Sequence, residues 1–424
     1  MGGEISLEGP VEGERDPANQ VVEGDQPHPD ECGHPGEALP AFAHEPAHGR
    51  TTGQPLIPDR PTGSLGRAQA ITEERPRHQI VTVGIGLVGC GRWGLNYLRA
   101  FSEIDGCRIV AACDLSADRL NEAQRRLAGL RTGTDVGELL AARDVDAIVV
   151  ATDASRHYEV ARAALEAGKD CLVEKPLTTD VDQARELRDL AGRMQRLLMV
   201  GHVFRYNPGI NHLQKVIGSG ALGQLEYLTF TRTNLGPIRS DVNVVWDLMT
   251  HDVSILLHFL NQAPAWVSAQ GASFLSSRCE DVAFATLGFD DGVVANIRAS
   301  WLDPRKVREI TVVGSGKMAF FNDLETQEPV RIFDKGAMRE PSYESFGEFK
   351  LVTRTGDVVS PAIPASEPLK NQCQHFLRSV LTRQPVLSDG NDGLRVVEVV
   401  VAINQSIARR GVPIMLRSAL ADAA

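Results

Sequence analysis

The sequence predicts a doubly wound α/β domain with a parallel sheet, followed by an α+β domain and preceded by a disordered tail. Three observations support this fold class. Residues 1–78 show no hydrophobic period, strand-like and helix-like runs alternate over residues 79–200, and strand-like runs predominate within residues 201–424. A chain of 424 residues has ample length for two or three domains.

The tail carries most of the acidity of the chain. Residues 1–78 contain 14 Asp or Glu and 6 Arg but no Lys, whereas the remainder contains 41 acidic and 38 basic residues. The tail is also rich in Pro, Gly and His, which is typical of disorder. Its four histidines between His28 and His48 have irregular spacing, so we predict no metal site. The near-neutral remainder gives no support to nucleic-acid binding.

Three features favour a cytoplasmic protein that has no membrane partner. No apolar run is long enough to span a bilayer, and the first residues lack the basic and apolar regions of a secretory signal. The seven cysteines are scattered without a C-x-x-C pair, as expected for free thiols in a reducing compartment.

The first predicted strand leads into a glycine-rich loop. The run QIVTVGIGLVG is typical of a central parallel strand, and RWGLNYLRAFSE has a helical pattern. Between them lies a G-x-G-x-x-G motif formed by Gly89, Cys90, Gly91, Arg92, Trp93 and Gly94. In such a loop the first glycine makes a tight turn, the second admits a pyrophosphate, and the third lets the helix approach the strand. The helix N-terminus offers free N–H groups to the phosphates.

A carboxylate follows the second predicted strand. The strand CRIVAAC is followed by Asp114, 20 residues after Gly94. A carboxylate at this place binds the ribose hydroxyls of adenosine and would repel a 2′-phosphate. Strand, glycines, helix, strand and acid together predict a Rossmann domain that binds NAD in preference to NADP.

The alternation then continues to about residue 200. The helices are SADRLNEAQRRLAG, with Ser116 as its N-cap, RHYEVARAALEAG, which ends at Gly168, and DQARELRDLAGRMQ. The strands are DAIVVAT, KDCLVEKP and RLLMVGH. This pattern predicts a doubly wound sheet, whose ligands bind outside the carboxyl ends of its strands.

Polar residues that follow these strand ends are predicted to surround the nicotinamide half of the cofactor. They are Thr152, His157, Glu174 and Lys175. Lys175 precedes a proline, which restricts its backbone and gives its side chain a set direction.

Strand patterns dominate the second half of the chain. The runs WVSAQGASF, DVAFATLGF, VVANIRASWL and REITVVGSGKMAFF read as strands, with DDG as a hairpin turn. Two helical patterns, KNQCQHFLRSVLTRQ and DGLRVVEVVVAINQSIARRG, come near the end of the chain. Strands after an α/β half predict an α+β domain.

One apolar helical pattern, VWDLMTHDVSIL, contains a carboxylate and an imidazole. Asp247 and His251 are four residues apart and therefore share a helix face. Burial of such groups is unfavourable unless they are paired. The pair is either a structural Asp–His hydrogen bond or an acid/base pair that faces a pocket.

From residue 79 to about 415 the chain resembles the Gfo/Idh/MocA family of pyridine-nucleotide-dependent sugar oxidoreductases. The matching stretches are GLVGCGRWGLN, ATDASRHYEVARAALEAGKDCLVEKPL, WDLMTHDVSIL and PVLSDGNDGLRVVEVVVAINQSI. The resemblance implies a Rossmann domain plus a domain built on a large open, mostly antiparallel sheet. We also expect a homo-oligomer, either a dimer or a tetramer. One departure is Asp153, where many members have proline, and it receives no role.

The resemblance implies roles for three site residues. Lys175 binds the reacting hydroxyl beside the nicotinamide and supplies positive charge where an alkoxide develops. His251 takes the proton, and Asp247 holds the tautomer of its ring. Four residues at the domain junction are candidates for substrate contact: His202, Arg205, Tyr206 and Asn207.

The W-G-x-N and NVVWDLMTHDVSIL contexts are most similar to members that oxidise nucleotide-linked amino sugars, or their uronates, at C3. Three alternatives stay open at this point: an inositol or free-sugar dehydrogenase, an NAD-dependent glycosidase, and a non-catalytic NAD-binding regulator. A regulator would not need Lys175, Asp247 and His251 together, so their joint presence argues against it.

Overall fold

A computed structural model describes residues 82–239, 241–275, 279–341 and 349–416. The predicted disordered tail lies outside the described residues. Among those residues, no helix combines the length and the apolar character that crossing a membrane requires.

Within the described residues, six strands form the first sheet: β1 (Val83–Val88), β2 (Cys107–Cys113), β3 (Arg131–Gly133), β4 (Ala147–Val150), β5 (Asp170–Glu174) and β6 (Leu198–Gly201). Their order is β3-β2-β1-β4-β5-β6, and every pairing is parallel. Five helices alternate with them: α1 (Arg92–Ser102), α2 (Ala117–Arg126), α3 (Val136–Ala141), α4 (His157–Glu166) and α5 (Val181–Met194). The predicted doubly wound Rossmann fold is therefore confirmed.

Local signals placed most of these elements well. Strand β2 has the predicted ends, and the Ser116 hydroxyl accepts a hydrogen bond of 3.4 Å from the Arg119 N–H as the N-cap of α2. Helix α4 ends shortly before Gly168, which adopts a φ of +72°. Strand β3 and helix α3 were not predicted, because three and six residues are too few to show a hydrophobic period.

The second sheet has nine strands among the described residues: β7 (Leu225–Leu235), β8 (Trp266–Ala272), β9 (Val282–Gly288), β10 (Val294–Ser300), β11 (Leu302–Gly314), β12 (Met318–Asn322), β13 (Val330–Phe333), β16 (Val358–Val359) and β17 (Ile414–Met415). Strands β14 (Gly336–Pro341) and β15 (Phe349–Arg354) form a separate antiparallel pair. The order is β16-β13-β12-β11-β7-β10-β9-β8-β17, and only β7 and β10 pair in parallel within this described sheet. The expected large, mostly antiparallel sheet is confirmed.

Helices α6 (Pro208–Gly218) and α7 (Thr250–Leu260) pack on one face of this sheet, and a π-helix (Val245–Met249) leads into α7. On the sheet itself, Tyr227, Phe284 and Val294 are 45%, 49% and 39% exposed. The sheet is thus covered on one face and carries exposed apolar side chains.

Two turns divide the predicted strand runs. Gly292, in the predicted DDG turn between β9 and β10, has a φ of +87°. The run REITVVGSGKMAFF forms two strands instead of one, because the Gly314 N–H bonds to the Lys317 carbonyl and turns the chain.

The last two helices, α8 (Pro368–Thr382) and α9 (Gly390–Ala408), return to the first sheet. Leu369, Cys373 and Phe376 of α8 are buried in the same core as β1 and α1, and Val397 of α9 joins the core on the other face. The predicted boundary at residue 201 stays a prediction. The core of the α/β part nevertheless includes side chains from the C-terminal helices.

Candidate active site

The glycine-rich loop after β1 is held by two close approaches. A Cβ on Gly94 would lie 1.9 Å from the Gly89 carbonyl oxygen, so helix and loop pack as tightly as only glycine allows. Gly89 itself has a φ of +93°, and a Cβ there would lie 2.5 Å from the Ala151 carbonyl oxygen. A Cβ on Gly91 would meet nothing within 4 Å. The loop therefore leaves open space above Gly91.

The N-terminus of α1 faces that space. Its N-cap is Gly91, and no side chain caps its first N–H groups. Such an end attracts phosphate oxygens. Arg92 and Trp93 are exposed on the first turn. The open backbone and the uncapped helix end fit the pyrophosphate of a dinucleotide, while the individual cofactor contacts stay predictions.

Asp114 closes the other side of the loop. Its carboxylate accepts hydrogen bonds from the N–H groups of Cys90 at 2.7 Å and Ser116 at 2.8 Å. The guanidinium of Arg119, which is largely exposed, lies 3.7 Å away. Asp114 is thus fixed beside the loop where the adenosine ribose is expected.

A cavity of about 680 Å³ lies between the carboxyl ends of β1, β4 and β5 and the second sheet. The predicted residues that line it are Arg92, Trp93, Thr152, His157, Glu174, Lys175, Asp247 and His251. The structure thus brings the predicted nicotinamide-side residues and the predicted catalytic residues to one cavity.

The segment Glu174-Lys175 is anchored from below. The Tyr97 hydroxyl donates to Glu174 at 2.6 Å, and the Gln372 amide of α8 donates to the Tyr97 oxygen at 2.8 Å. The other Glu174 oxygen accepts from the Lys175 N–H at 3.0 Å. Burial raises the pKa of Glu174. These contacts fix the backbone from which the Lys175 side chain extends.

Lys175 reaches the π-helix of the second part of the chain. Its Nζ lies 2.7 Å from the Asp247 carbonyl oxygen and 3.3 Å from the Asp247 Oδ1, and its side chain is 6% exposed. Arg239 lies 3.4 Å from the same carboxylate, and the Trp301 indole N–H donates to its Oδ2 at 3.2 Å. Asp247 is thus oriented by three donors.

The predicted hydrogen bond between Asp247 and His251 is absent from the described structure. Helical spacing suggested that bond, but residues 245–249 form a π-helix, whose wider turn changes the register of the side chains. Both residues still line the cavity. The Asp247 carboxylate instead bonds Lys175, which is remote in sequence.

His251 is an uncharged imidazole beside positive charges. Its Nδ1 is buried without a hydrogen-bond partner among the described residues, and its ring meets the Phe204 ring edge-on at a centroid distance of 5.1 Å. Burial first, and then the charges of Lys175 and Arg232, hold the pKa of His251 well below its usual value of 6.5. A neutral ring facing the cavity is able to accept a proton.

Both ring nitrogens of His157 contact backbone carbonyl groups, so neither is left free for a ligand. Its ring nitrogens lie 2.7 Å from the Pro176 carbonyl oxygen and 3.1 Å from the Thr152 carbonyl oxygen. Burial lowers the pKa of this histidine. His157 therefore joins the ends of β4 and β5, and a direct cofactor contact stays a prediction.

The four residues predicted to contact substrate, among them Arg205 and Tyr206, lie outside the cavity lining. Arg205 pairs with Asp392 at 2.9 Å, the Tyr206 hydroxyl bonds Ser388 at 3.0 Å, and Asn207 caps α6. None of the four lines the described cavity. Substrate contact by these residues stays a prediction without structural support.

His202 is buried and both of its ring nitrogens lack a hydrogen-bond partner among the described residues. Burial, together with the charges of Arg205 and Lys175, lowers the pKa of this histidine to about 3. It is therefore neutral in the folded protein.

Sequence reasoning missed the wall of the cavity that the second sheet supplies. Its polar members are Arg232, Asn234, Arg239, Lys306 and Arg308, and Trp301 lies behind Asp247. Arginine in the alternating run TFTRTN was the available signal for a strand with an inward-facing charge.

Comparison with known proteins identifies the family to which a chain with this site belongs. A family model described as an oxidoreductase family with an NAD-binding Rossmann fold matches residues 83–202. A model of the GFO/IDH/MocA C-terminal domain matches residues 210–319. The chain belongs to the Gfo/Idh/MocA family. This Gfo/Idh/MocA member is an NAD-binding oxidoreductase, as its sequence predicted.

Two relatives align over nearly their whole length. UDP-N-acetylglucosamine 3-dehydrogenase of Acidithiobacillus ferrooxidans is 27% identical over 76% of this chain and 96% of its own. Inositol 2-dehydrogenase of Rhizobium meliloti is 27% identical over 78% of this chain and 98% of its own. The solved structure of the first has a TM-score of 0.65 and covers 78% of this chain and 98% of its own.

A second solved structure supports the fold alone. Scyllo-inositol dehydrogenase from Lactobacillus casei, with bound NAD(H) and scyllo-inositol, is 16% identical with a TM-score of 0.65. It covers 79% of this chain and 99% of its own.

Proposed function

We propose that this Gfo/Idh/MocA member is an NAD-dependent sugar dehydrogenase that oxidises a secondary hydroxyl, at C3 of a nucleotide-linked amino sugar or its uronate. The observation that carries the proposal is the meeting of Lys175, Asp247 and His251 at one cavity beside the uncapped end of α1. The full-length similarity to a UDP-N-acetylglucosamine 3-dehydrogenase supports the choice of substrate.

In this proposal each residue has a separate task. Bound NAD supplies the acceptor for the hydride that leaves the carbinol carbon. His251 accepts the hydroxyl proton, since its pKa is held well below 6.5 and its ring is neutral. Lys175 places its ammonium group near the developing alkoxide.

Asp247 orients Lys175 in place of its predicted task of fixing the His251 ring. Its carboxylate and its carbonyl oxygen both bond the Lys175 Nζ, while Trp301 holds the second carboxylate oxygen. A fixed ammonium group is worth more in catalysis than a mobile one, because no reorganisation is needed during the reaction.

An inositol dehydrogenase is the second candidate, since the relative from Rhizobium meliloti carries that name at the same identity. The NAD-dependent glycosidase and the non-catalytic regulator remain as alternatives. A glycosidase would release a hydrolysis product without net NADH formation. A regulator would neither convert a sugar nor form NADH.

The deciding experiment measures NADH formation with UDP-N-acetylglucosamine, its uronate, free N-acetylglucosamine and myo-inositol. Lys175→Ala serves as the inactive reference. Turnover of a UDP-sugar, with oxidation at C3 shown by NMR of the product, supports the proposal. Exclusive turnover of inositol, or loss of a UDP-sugar without net NADH, refutes it.

We further propose that the chain works as a homo-oligomer in the cytoplasm. Tyr227 and Val294, which are paired across β7 and β10, and Phe284 of β9 support association, because exposed apolar side chains on a sheet are a common feature of protein interfaces. Light scattering behind size-exclusion chromatography tests it, and a monomer at micromolar concentration refutes it.

A further inference from the structure

The sheet side of the cavity is a continuous polar wall. Arg232 and Asn234 reach it from β7, and Pro304, Lys306 and Arg308 reach it from β11. Alternate residues of a strand point to the same face, so each strand presents one row of side chains. Strand β11 also bulges here. The pairing jumps from Leu302–Leu235 to Val307–Thr233, which displaces the intervening residues from the sheet.

Four cationic side chains contribute to this wall. Arg232, Arg239, Lys306 and Arg308 line it, and Asp247 is the carboxylate that lines the cavity from the same described part of the chain. Lys306 has no ion pair with any described residue, and it is exposed. Arg232, Arg239 and Arg308 are paired with Asp252, Asp241 and Asp323. The charge of Lys306 is therefore the one that these carboxylates leave for an anion to neutralise.

Carboxylates behind the wall orient two of its guanidinium groups. Asp252 holds Arg232 through three hydrogen bonds of 2.7 to 3.0 Å. Asp323 bonds the Arg308 Nη1 at 3.0 Å. Nη1 of Arg232, and Nε and Nη2 of Arg308, make no hydrogen bond to a described residue. Donors held in fixed positions with unused N–H groups suit an anionic oxygen group.

A second interaction reaches the wall from Asn207. Its amide donates to the Asp323 Oδ1 at 3.1 Å, while the opposite oxygen of that carboxylate bonds Arg308. The Arg308 guanidinium also lies 5.9 Å from the centroid of the Phe204 ring, whose edge contacts His251. The wall is therefore built beside the proposed base.

The cofactor does not account for this wall. The site that fits a pyrophosphate lies at Gly91 and the α1 N-terminus, on the first sheet. Arg232, Lys306 and Arg308 come from the second sheet, and Arg239 comes from the segment that follows β7. An anion bound there must belong to the other reactant.

We propose that Lys306 and Arg308 bind an anionic group of the substrate, either a phosphate or a carboxylate. This inference rests on the proposed function, because it names the chemical class of the sugar that the same site takes. It excludes an uncharged cyclitol or free sugar as the preferred substrate.

The test measures binding of two anions, UDP and D-glucuronate, to the full-length enzyme saturated with NADH, by calorimetry. Saturation with NADH prevents the anions from occupying the dinucleotide site. Lys306→Gln and Arg308→Gln each remove a charge from the wall, and Arg308→Lys retains it. Lys317→Gln removes a charge from the turn between β11 and β12, outside the cavity lining, and is the matched control.

Charged hydrogen bonds of this kind predict about 10- to 100-fold weaker binding in Lys306→Gln and Arg308→Gln. Arg308→Lys and Lys317→Gln should bind within a few fold of wild type. Binding of UDP identifies a phosphate as the bound group, and binding of glucuronate identifies a carboxylate. Failure of both anions to bind wild type, or equal binding by all variants, overturns the inference.

The two proposals fail separately. Anion binding that depends on Lys306 without turnover of any sugar would reject the dehydrogenase assignment and leave the anion site standing. Turnover of sugars with KM values that are the same in wild type, Lys306→Gln and Arg308→Gln would reject the anion site alone. Loss of an anion contact made equally in ground and transition states should raise KM at nearly constant kcat.

Discussion

Replacement of His251 by glutamine tests the proposed base directly. Glutamine retains a hydrogen-bonding side chain but cannot take a proton. Removal of a general base typically slows catalysis about 100- to 10,000-fold, which corresponds to roughly 3 to 5 kcal/mol of transition-state stabilisation. NADH affinity should stay unchanged, because His251 comes from α7 while Gly91 and the α1 N-terminus belong to the first sheet.

The pH dependence carries a sharper expectation. The active form of a base is unprotonated, so the rate rises with pH through the pKa of that base. Burial, Lys175 and Arg232 hold the pKa of His251 well below 6.5. We therefore expect kcat/KM of the wild type to be flat above about pH 6.5 and to fall only in more acidic solution. The variant should lack that fall.

The assay is initial-rate NADH formation across pH, with NADH binding followed by fluorescence. His212→Gln, the same substitution on α6 outside the cavity lining, is the control. The double variant Lys175→Ala with His251→Gln should be far less impaired than the product of the single effects, because both groups act on one proton transfer. If His251→Gln stays within a few fold of wild-type turnover, the histidine is structural and the mechanism is wrong.

Three further expectations concern cofactor choice, the tail and acid stability. The wild type should have a higher kcat/KM with NAD than with NADP, since the Asp114 carboxylate would repel a 2′-phosphate. Asp114→Ser should bring the two kcat/KM values closer together. Equal kcat/KM values with the two cofactors in the wild type would contradict the role of Asp114. Deletion of residues 1–75 should leave kcat and the thermal midpoint unchanged, because the cavity is built from described residues beyond that segment; a large loss of either would disprove it. The lowered pKa values of His202 and His251 mean that the unfolded state binds more protons below pH 6.5, so stability is complete above that pH and falls as the pH drops. Each histidine should remove about 1.4 kcal/mol per pH unit, which urea unfolding at several pH values would measure, and a flat profile would refute it.

The sequence predicted the first sheet well because its signals are local. The signals for strand β2, for the Ser116 cap and for the close packing of Gly94 each come from residues a few positions apart in the sequence. Continuous apolar runs mark buried parallel strands, whose ends then mark the ligand edge. The cavity residues Thr152 and Lys175 were found by that rule.

Contacts between distant segments were beyond sequence reasoning. The bond from Lys175 to Asp247 joins residues 72 positions apart, whereas the sequence predicted a bond between Asp247 and His251. A π-helix has no hydrophobic pattern of its own, so the sequence did not show that the side chains of Asp247 and His251 depart from α-helical spacing. The cationic wall likewise depends on a bulge in β11, at which Lys306 leaves the pairing with β7.

The anchoring of Glu174 by Tyr97 and Gln372 has a consequence for synthesis on the ribosome. Leu369, Cys373 and Phe376, the neighbours of Gln372 in α8, belong to a core whose last strand residue, Met199, is translated about 170 residues earlier. At a bacterial or eukaryotic elongation rate, that interval lasts roughly ten to thirty-five seconds. During this time the nascent chain exposes the apolar surface that α8 later covers, and the segment bearing Lys175 lacks its support. The α/β half should therefore bind chaperones while it is being made, and it should gain its cofactor only after the last helices emerge.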